Sequence, residues 1–150
     1  LSDAISYAVK HYQPSRLIDL ATLTGACMVA LGEQIAGLFG NNEKLIQEIQ
    51  TAAAETDEEV WHLPIHEFHR QEIKGTLSDL TNLGNTGYGG ASTAAAFLEN
   101  FVEDTDWAHL DIAGVTQPKK TKDIDFSGSV TGYGVRLLIQ LLENIKSKEI

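Results

Sequence analysis

A chain of 150 residues with 43% hydrophobic content has enough apolar material for one buried core, and nothing in it marks a second domain. Its 11 Lys plus Arg against 21 Asp plus Glu leave a formal charge of -10, which speaks against nucleic acid or anionic membrane as a partner of the chain as a whole. No apolar run approaches the ~20 residues needed to cross a bilayer, and the N-terminus carries no signal-peptide pattern, so the chain reads as soluble and cytoplasmic. Lys119, Lys120 and Lys122 are the one basic cluster and read as a solvated loop. The single cysteine, Cys27, sits in an apolar stretch and reads as a small buried hydrophobe suited to a reducing compartment.

In chain order, Leu1, Ala4, Ile5, Ala8, Val9 and Tyr12 form one helical stripe that Pro14 ends. The stripe is already running at residue 1 without a cap, from which an earlier natural start is expected. Leu17 to Gly25 is a short apolar run that stops in hydroxyls and a glycine. Such a run suits a buried strand that delivers a loop to the carboxyl edge of a sheet, where open α/β sheets bind ligands. A plain core strand ending in Ser/Thr turn chemistry is the stronger reading of these residues taken alone.

Gly25 to Leu31 is predicted as a short helix, Ile35 to Phe39 as a strand, and Asn41 or Asn42 as the cap of a helix with the stripe Leu45, Ile46, Ile49, Ala52 and Ala53. Asp57, Glu58 and Glu59 read as its solvated end. Trp61 to Arg70 bends at Pro64 into a short helix, Leu77 to Leu83 alternates like a strand, and Gly84 to Gly90 is a glycine loop. Ser92 or Thr93 is the expected cap of a helix that turns Ala94, Phe97, Leu98 and Phe101 inward. Trp107 to Ile112 is a further strand, Gln117 to Gly128 a charged loop, and Val135 to Ile145 the last amphipathic helix. Strands alternating with covering helices predict an α/β fold with a mixed, largely parallel sheet.

Three constellations invite a chemical reading. His62, His66 and His69 have spacings that share a helical face and suit zinc, but Pro64 interrupts the helix, so an exposed or hydrogen-bonded histidine cluster is the stronger reading. The Gly84 to Ala91 loop ahead of a helix offers backbone amides to an anion, while Gly90 stands where a phosphate-binding P-loop needs lysine. Asp19, Asp79 and Asp111 lie in or beside apolar strands, and with His109 suggest either structural hydrogen bonding, the better supported, or an oxygen-rich metal site.

Four blocks, Leu17 to Asn42, Leu77 to Phe101, Trp107 to Val115 and Thr131 to Leu142, resemble in order and spacing the leucyl aminopeptidases, also called cytosol aminopeptidases. The most specific are Asp-Leu-Ala-Thr-Leu-Thr-Gly-Ala at Asp19 to Ala26, Ser-Asp-Leu-Thr-Asn at Ser78 to Asn82, and Trp-Ala-His-Leu-Asp-Ile-Ala-Gly at Trp107 to Gly114. The resemblance implies hydrolysis of N-terminal residues, leucine-type preferred, from peptides. It implies two divalent ions, zinc or manganese, that hold the amine and scissile carbonyl and activate a water.

The family's Asn-Thr-Asp-Ala-Glu-Gly-Arg-Leu segment carries two metal ligands and an arginine that holds bicarbonate. In relatives it precedes the part matching Leu1 to Ala4, and it is not in this sequence, so no metal ligand or catalytic residue is placed on residues 1–150. The chain thus reads as the C-terminal portion of the catalytic domain, inactive alone and binding no metal by itself. The implied substrate-facing positions are Thr22, Leu23 and Gly25 on one loop, with Leu83, Ala113 and Thr116 lining side-chain pockets. His62 stands where relatives carry arginine or lysine. The implied partners are peptides and other copies of the chain, as a homo-oligomer that is a hexamer in the family. Two rival readings are a non-catalytic binding or assembly module of the same fold, and a free-standing metal hydrolase built on the histidines or strand aspartates.

Overall fold

The strand Asp106–Asp111 (β4) shows how the molecule is layered. Side chains alternate across a strand, so Ala108 and Leu110 point to one face of the sheet and Trp107, His109 and Asp111 to the other; all five are buried. The computed structural model describes residues 1–116 and 130–148; the expected loop from Gln117 to Gly128 lies outside them. Around β4 run β1 (Arg16–Ala21), β2 (Ala36–Gly40) and β3 (Val60–His62), in the order β1-β4-β2-β3. β1 is parallel to β4 and β2 is parallel to β3, while β2 and β4 run antiparallel, which makes the sheet mixed.

One face is covered by α3 (Glu43–Thr56) and α6 (Val135–Lys148). Here Leu45, Ile49, Leu137 and Leu141 pack on Leu38, Ala108 and Leu110. The other face carries α1 (Ser2–Tyr12), α2 (Gly25–Leu31) and α5 (Gly90–Glu99), whose Ile5, Val9, Cys27, Ala95 and Leu98 close over Phe39 and Trp107. The short α4 (Glu67–Glu72) is clamped to α5 by Arg70, which donates to both carboxylate oxygens of Glu99 at 2.7 and 2.9 Å. Full burial of each large aliphatic side chain is worth about 1.5–3 kcal/mol, so these two clusters hold the layers together.

Local chemistry sets the ends of the elements. Asn42 caps α3 by accepting from Leu45 N at 3.0 Å, as the Asx-plus-stripe pattern predicts. Thr24 caps α2 by accepting from Cys27 N at 3.0 Å.

Three expectations are corrected. Leu77 to Leu83 forms no strand: its backbone makes one isolated bridge, Lys74 with Leu80, and Leu77 is fully exposed, so the alternation has no sheet to bury against. The cap of α5 is Gly89, at φ 62°, rather than Ser92 or Thr93, which lie inside the first turns and are buried. Glu58 is not a solvated helix end. It is 4% exposed, and its Oε2 accepts from Gly134 N at 3.2 Å and Leu137 N at 2.9 Å, placing a negative charge at the start of α6, where the helix dipole favours it. In α1 the buried part of the stripe is Ile5 and Val9, while Tyr12 stands 73% exposed.

Candidate substrate cleft at the β1 and β4 carboxyl edge

Because β1 and β4 are parallel and register Ala21 with Asp111, their following loops leave the sheet at the same edge, joined by Ile112 N donating to Ala21 O at 2.9 Å. Asp111 organises that edge. A buried carboxylate needs donors, and Asp111, 1% exposed, has four. Its Oδ1 accepts from Leu23 N at 3.1 Å, Thr24 N at 3.4 Å and Ala113 N at 3.2 Å, and its Oδ2 from Thr24 Oγ1 at 2.7 Å. One side chain thereby fixes the loop after β1, the turn after β4 and, through Thr24, the start of α2. Gly114 keeps the second turn close: a Cβ there would lie 2.2 Å from Gly32 O.

Beside it, Asp19 accepts from Trp107 Nε1 at 2.7 Å and pairs with His109 Nδ1 at 2.5 Å. The His109 ring is fully buried and stacks near Trp107 and Phe39, at centroid separations of 6.4 and 5.9 Å. Cys27 is also buried; burial, followed by the charge of Asp111, pushes its thiol up to about 11. It is thus a neutral packing group at ordinary pH, with no thiolate for nucleophilic chemistry.

Asp19 and His109 pair, but Asp79 and the histidines of residues 62–69 do not join them. Asp79 is exposed on the irregular loop, its backbone O accepting from Gly75 N, while Asp19 and Asp111 each have both oxygens engaged by different protein donors. His69 Nδ1 accepts from His66 N at 3.0 Å to close the first turn of α4, and burial, with the nearby His66 and Arg70, pushes its pKa below the usual imidazole value. His62 lies on β3. Among the described residues no group of three or more His, Cys, Asp or Glu side chains is placed to hold a metal ion.

Above the Asp111 loop opens a cleft of about 730 Å³, within the range that suits small-molecule ligands. Its walls include Leu23 and Gly25 from the β1 loop, Leu83 from the glycine-rich segment, and Thr93, Phe97 and Leu98 from α5. Three of the six expected positions, Leu23, Gly25 and Leu83, therefore meet at one cavity. Thr22 is exposed on the same loop, and Ala113 and Thr116 are half-buried in the turn after β4, so these three stand at the shared edge without lining the cleft. Thr24, Thr93 and Phe97 are lining residues that the sequence did not mark. For Phe97 the inward stripe of its helix was the available signal.

The description "Cytosol aminopeptidase family, catalytic domain" belongs to a family model that matches residues 1–139. The chain belongs to the cytosol aminopeptidase family. It is 50% identical over 143 residues to a probable cytosol aminopeptidase of Chlorobium luteolum, covering 95% of this chain and 28% of that protein. A probable cytosol aminopeptidase of Chlamydia caviae is 46% identical over 150 residues, covering 99% of this chain and 30% of the relative. A solved structure of a tomato leucine aminopeptidase mutant superimposes with a TM-score of 0.86 at 40% identity, over 95% of this chain and 27% of that one. The chain thus spans less than a third of the length of these cytosol aminopeptidases. Among the described residues, no helix is long and apolar enough to cross a membrane.

Proposed function

We propose that this chain forms the substrate-facing part of a cytoplasmic aminopeptidase catalytic domain, the C-terminal portion of that domain, acting on short peptides with a leucine-type N-terminal residue. The observation that carries the reading is the cleft itself. A loop whose amides are fixed by Asp111 presents Leu23 and Gly25 to a cavity faced by Leu83 and Phe97, which combines backbone polarity with apolar side-chain space. Thr22, Ala113 and Thr116 stand at the same sheet edge, outside the cleft lining.

The family resemblance brings with it two divalent ions, manganese or zinc. The described residues do not fit such a pair: the buried carboxylates Asp19 and Asp111 are spent on internal donors, and Asp79, exposed on its loop, joins no group of three or more candidate ligands among the described residues. No metal-dependent step is assigned to this chain, which on this reading binds peptide without cleaving it. Val135, Ile139 and Leu142, all more than half exposed along one stripe of α6, support association with further copies in a homo-oligomer, a hexamer by resemblance to the family.

The test is hydrolysis of a leucyl chromogenic amide by the 150-residue chain with added manganese or zinc, together with an NMR titration with leucylglycine. The expected outcome is no turnover, with shifts at Leu23, Gly25 and Leu83. Sustained turnover would overturn the inactive reading, and absence of shifts at those residues would overturn the cleft assignment.

A further inference from the structure

We infer that the end of the cleft bounded by the start of α5 is a carboxylate-binding subsite, and that the peptides it takes are short ones with a free C-terminal carboxylate. This rests on the reading of the cleft as a peptide site and adds to it the chemistry of the far end of the substrate.

The first turn of a helix leaves its N–H groups without intrahelical acceptors. In α5, ten residues long, those groups belong to Gly90, Ala91 and Ser92, and the cap, Gly89, has no side chain to accept from them. Gly90 lines the cleft, together with Gly84 and Gly87. A Cβ at Gly87 would meet nothing within 4 Å, so the approach is open on that side.

A second observation points to the same place. Thr93, one turn further along α5, also lines the cleft and is 3% exposed, yet its hydroxyl has no hydrogen-bond partner among the described residues. The Gly89 carbonyl, four residues back, accepts instead from Thr93 N at 2.9 Å. A buried hydroxyl without a partner is costly. A bound carboxylate would take that hydroxyl and the free amides of the helix start, with the helix dipole favouring its charge.

Glu72 lies near this end. Its Oε2 accepts from Thr86 N at 2.8 Å and Thr86 Oγ1 at 3.0 Å, so the side chain is turned to the loop, and it does not line the cleft. Its charge weakens an anion nearby without removing the donors. The apolar walls formed by Phe97 and Leu98 lie on the same helix, one to two turns on, so one short ligand can bury a side chain against them and reach the helix start.

The experiment compares leucylglycine with leucylglycinamide, which lacks the charge, by NMR titration of the 150-residue chain. Leucylglycine is expected to shift the Gly90, Ala91 and Ser92 amides and to bind about tenfold tighter, the worth of a hydrogen bond to a charged group. Thr93→Val, equal in shape, should abolish most of that difference between the two peptides, and Thr93→Ser should restore it. Leu1 also lines the cleft, so an N-terminally acetylated chain must retain the preference; its loss there would overturn the assignment to α5. Equal binding of the two peptides at Leu23 and Gly25 would overturn the carboxylate subsite and leave the peptide cleft standing. Binding of neither would overturn both.

Discussion

The two faces of the sheet are built on different principles. Toward α3 and α6, β4 presents Ala108 and Leu110 to an almost wholly aliphatic cluster, and the buried acids near it, Glu48 and Glu58, are taken up by Arg16 and by the start of α6. Toward α1, α2 and α5, the same strand presents Trp107, His109 and Asp111, which are tied by hydrogen bonds to Asp19 and to the loop after β1. The first face holds the domain together by removing apolar area from water, a non-directional effect that tolerates small shifts. The second has an apolar cluster of its own and adds directional bonds, which fix atoms in place and are costly when one partner is removed. The cleft opens on the second face, where geometry is specified.

The comparison is broken most forcefully on the apolar face. Leu110→Ala should cost about 2–5 kcal/mol in denaturant unfolding, by lost burial and an unfilled cavity, while amide exchange in the Leu23–Thr24 loop keeps its pattern relative to global stability. Asp111→Ala should cost about 2–4 kcal/mol, since it leaves buried donors without an acceptor. Unlike the first variant, it should selectively accelerate exchange at Leu23 and Thr24. Asp111→Asn, which keeps one acceptor oxygen, should recover part of both. If Asp111→Ala slows or spares exchange at that loop, the distinction between the faces fails.

Smaller effects sharpen the contrast. Glu58→Ala removes the carboxylate at the start of α6 and should cost about 1–2 kcal/mol, in the range of lost helix caps, with fraying read by NMR at Val135 to Leu137. Cys27 gives a pH signature for the polar face. Its folded thiol, raised from 9.0 to about 11, keeps a proton that the unfolded chain releases first. Its contribution to stability is therefore complete below pH 9 and is lost as pH rises toward 11. Unfolding midpoints should fall across that window less steeply in Cys27→Ala, and a thiol reagent at pH 8 should label the folded chain far more slowly than the unfolded one.

Much of this architecture was legible because its signals are local. The stripe behind Asn42, the apolar run at Leu17 and the glycine at residue 25 each report on their own few residues, and the strands and helices fall close to where those patterns put them. The misreading of Glu58 has a clear physical origin: its deciding partners are far away in sequence. Glu58 resembles a solvated acid until Gly134 and Leu137, more than 75 positions on, donate to it. Leu77 to Leu83 alternates like a strand, but among the described residues its one bridge is Leu80 with Lys74, a local turn rather than a sheet. The resemblance placed Leu23, Gly25 and Leu83 together, yet that Asp111 holds the loop, and that Thr93 lines the same cavity, depend on side-chain directions no spacing rule supplies.

The pairing of β1 with β4 also has a consequence for how the chain is made. Arg16 registers with Asp106 and Ala21 with Asp111, a separation of 90 residues at each end. At about 5–20 residues per second, the ribosome delivers β4 roughly 5–18 s after β1. Throughout that interval Leu17, Ile18 and Leu20 wait without the strand that is their pairing partner among the described residues. Synthesis therefore leaves an unpaired apolar strand on the nascent chain for that interval, and a slow stretch of translation between β1 and β4 would lengthen the time in which it depends on chaperones.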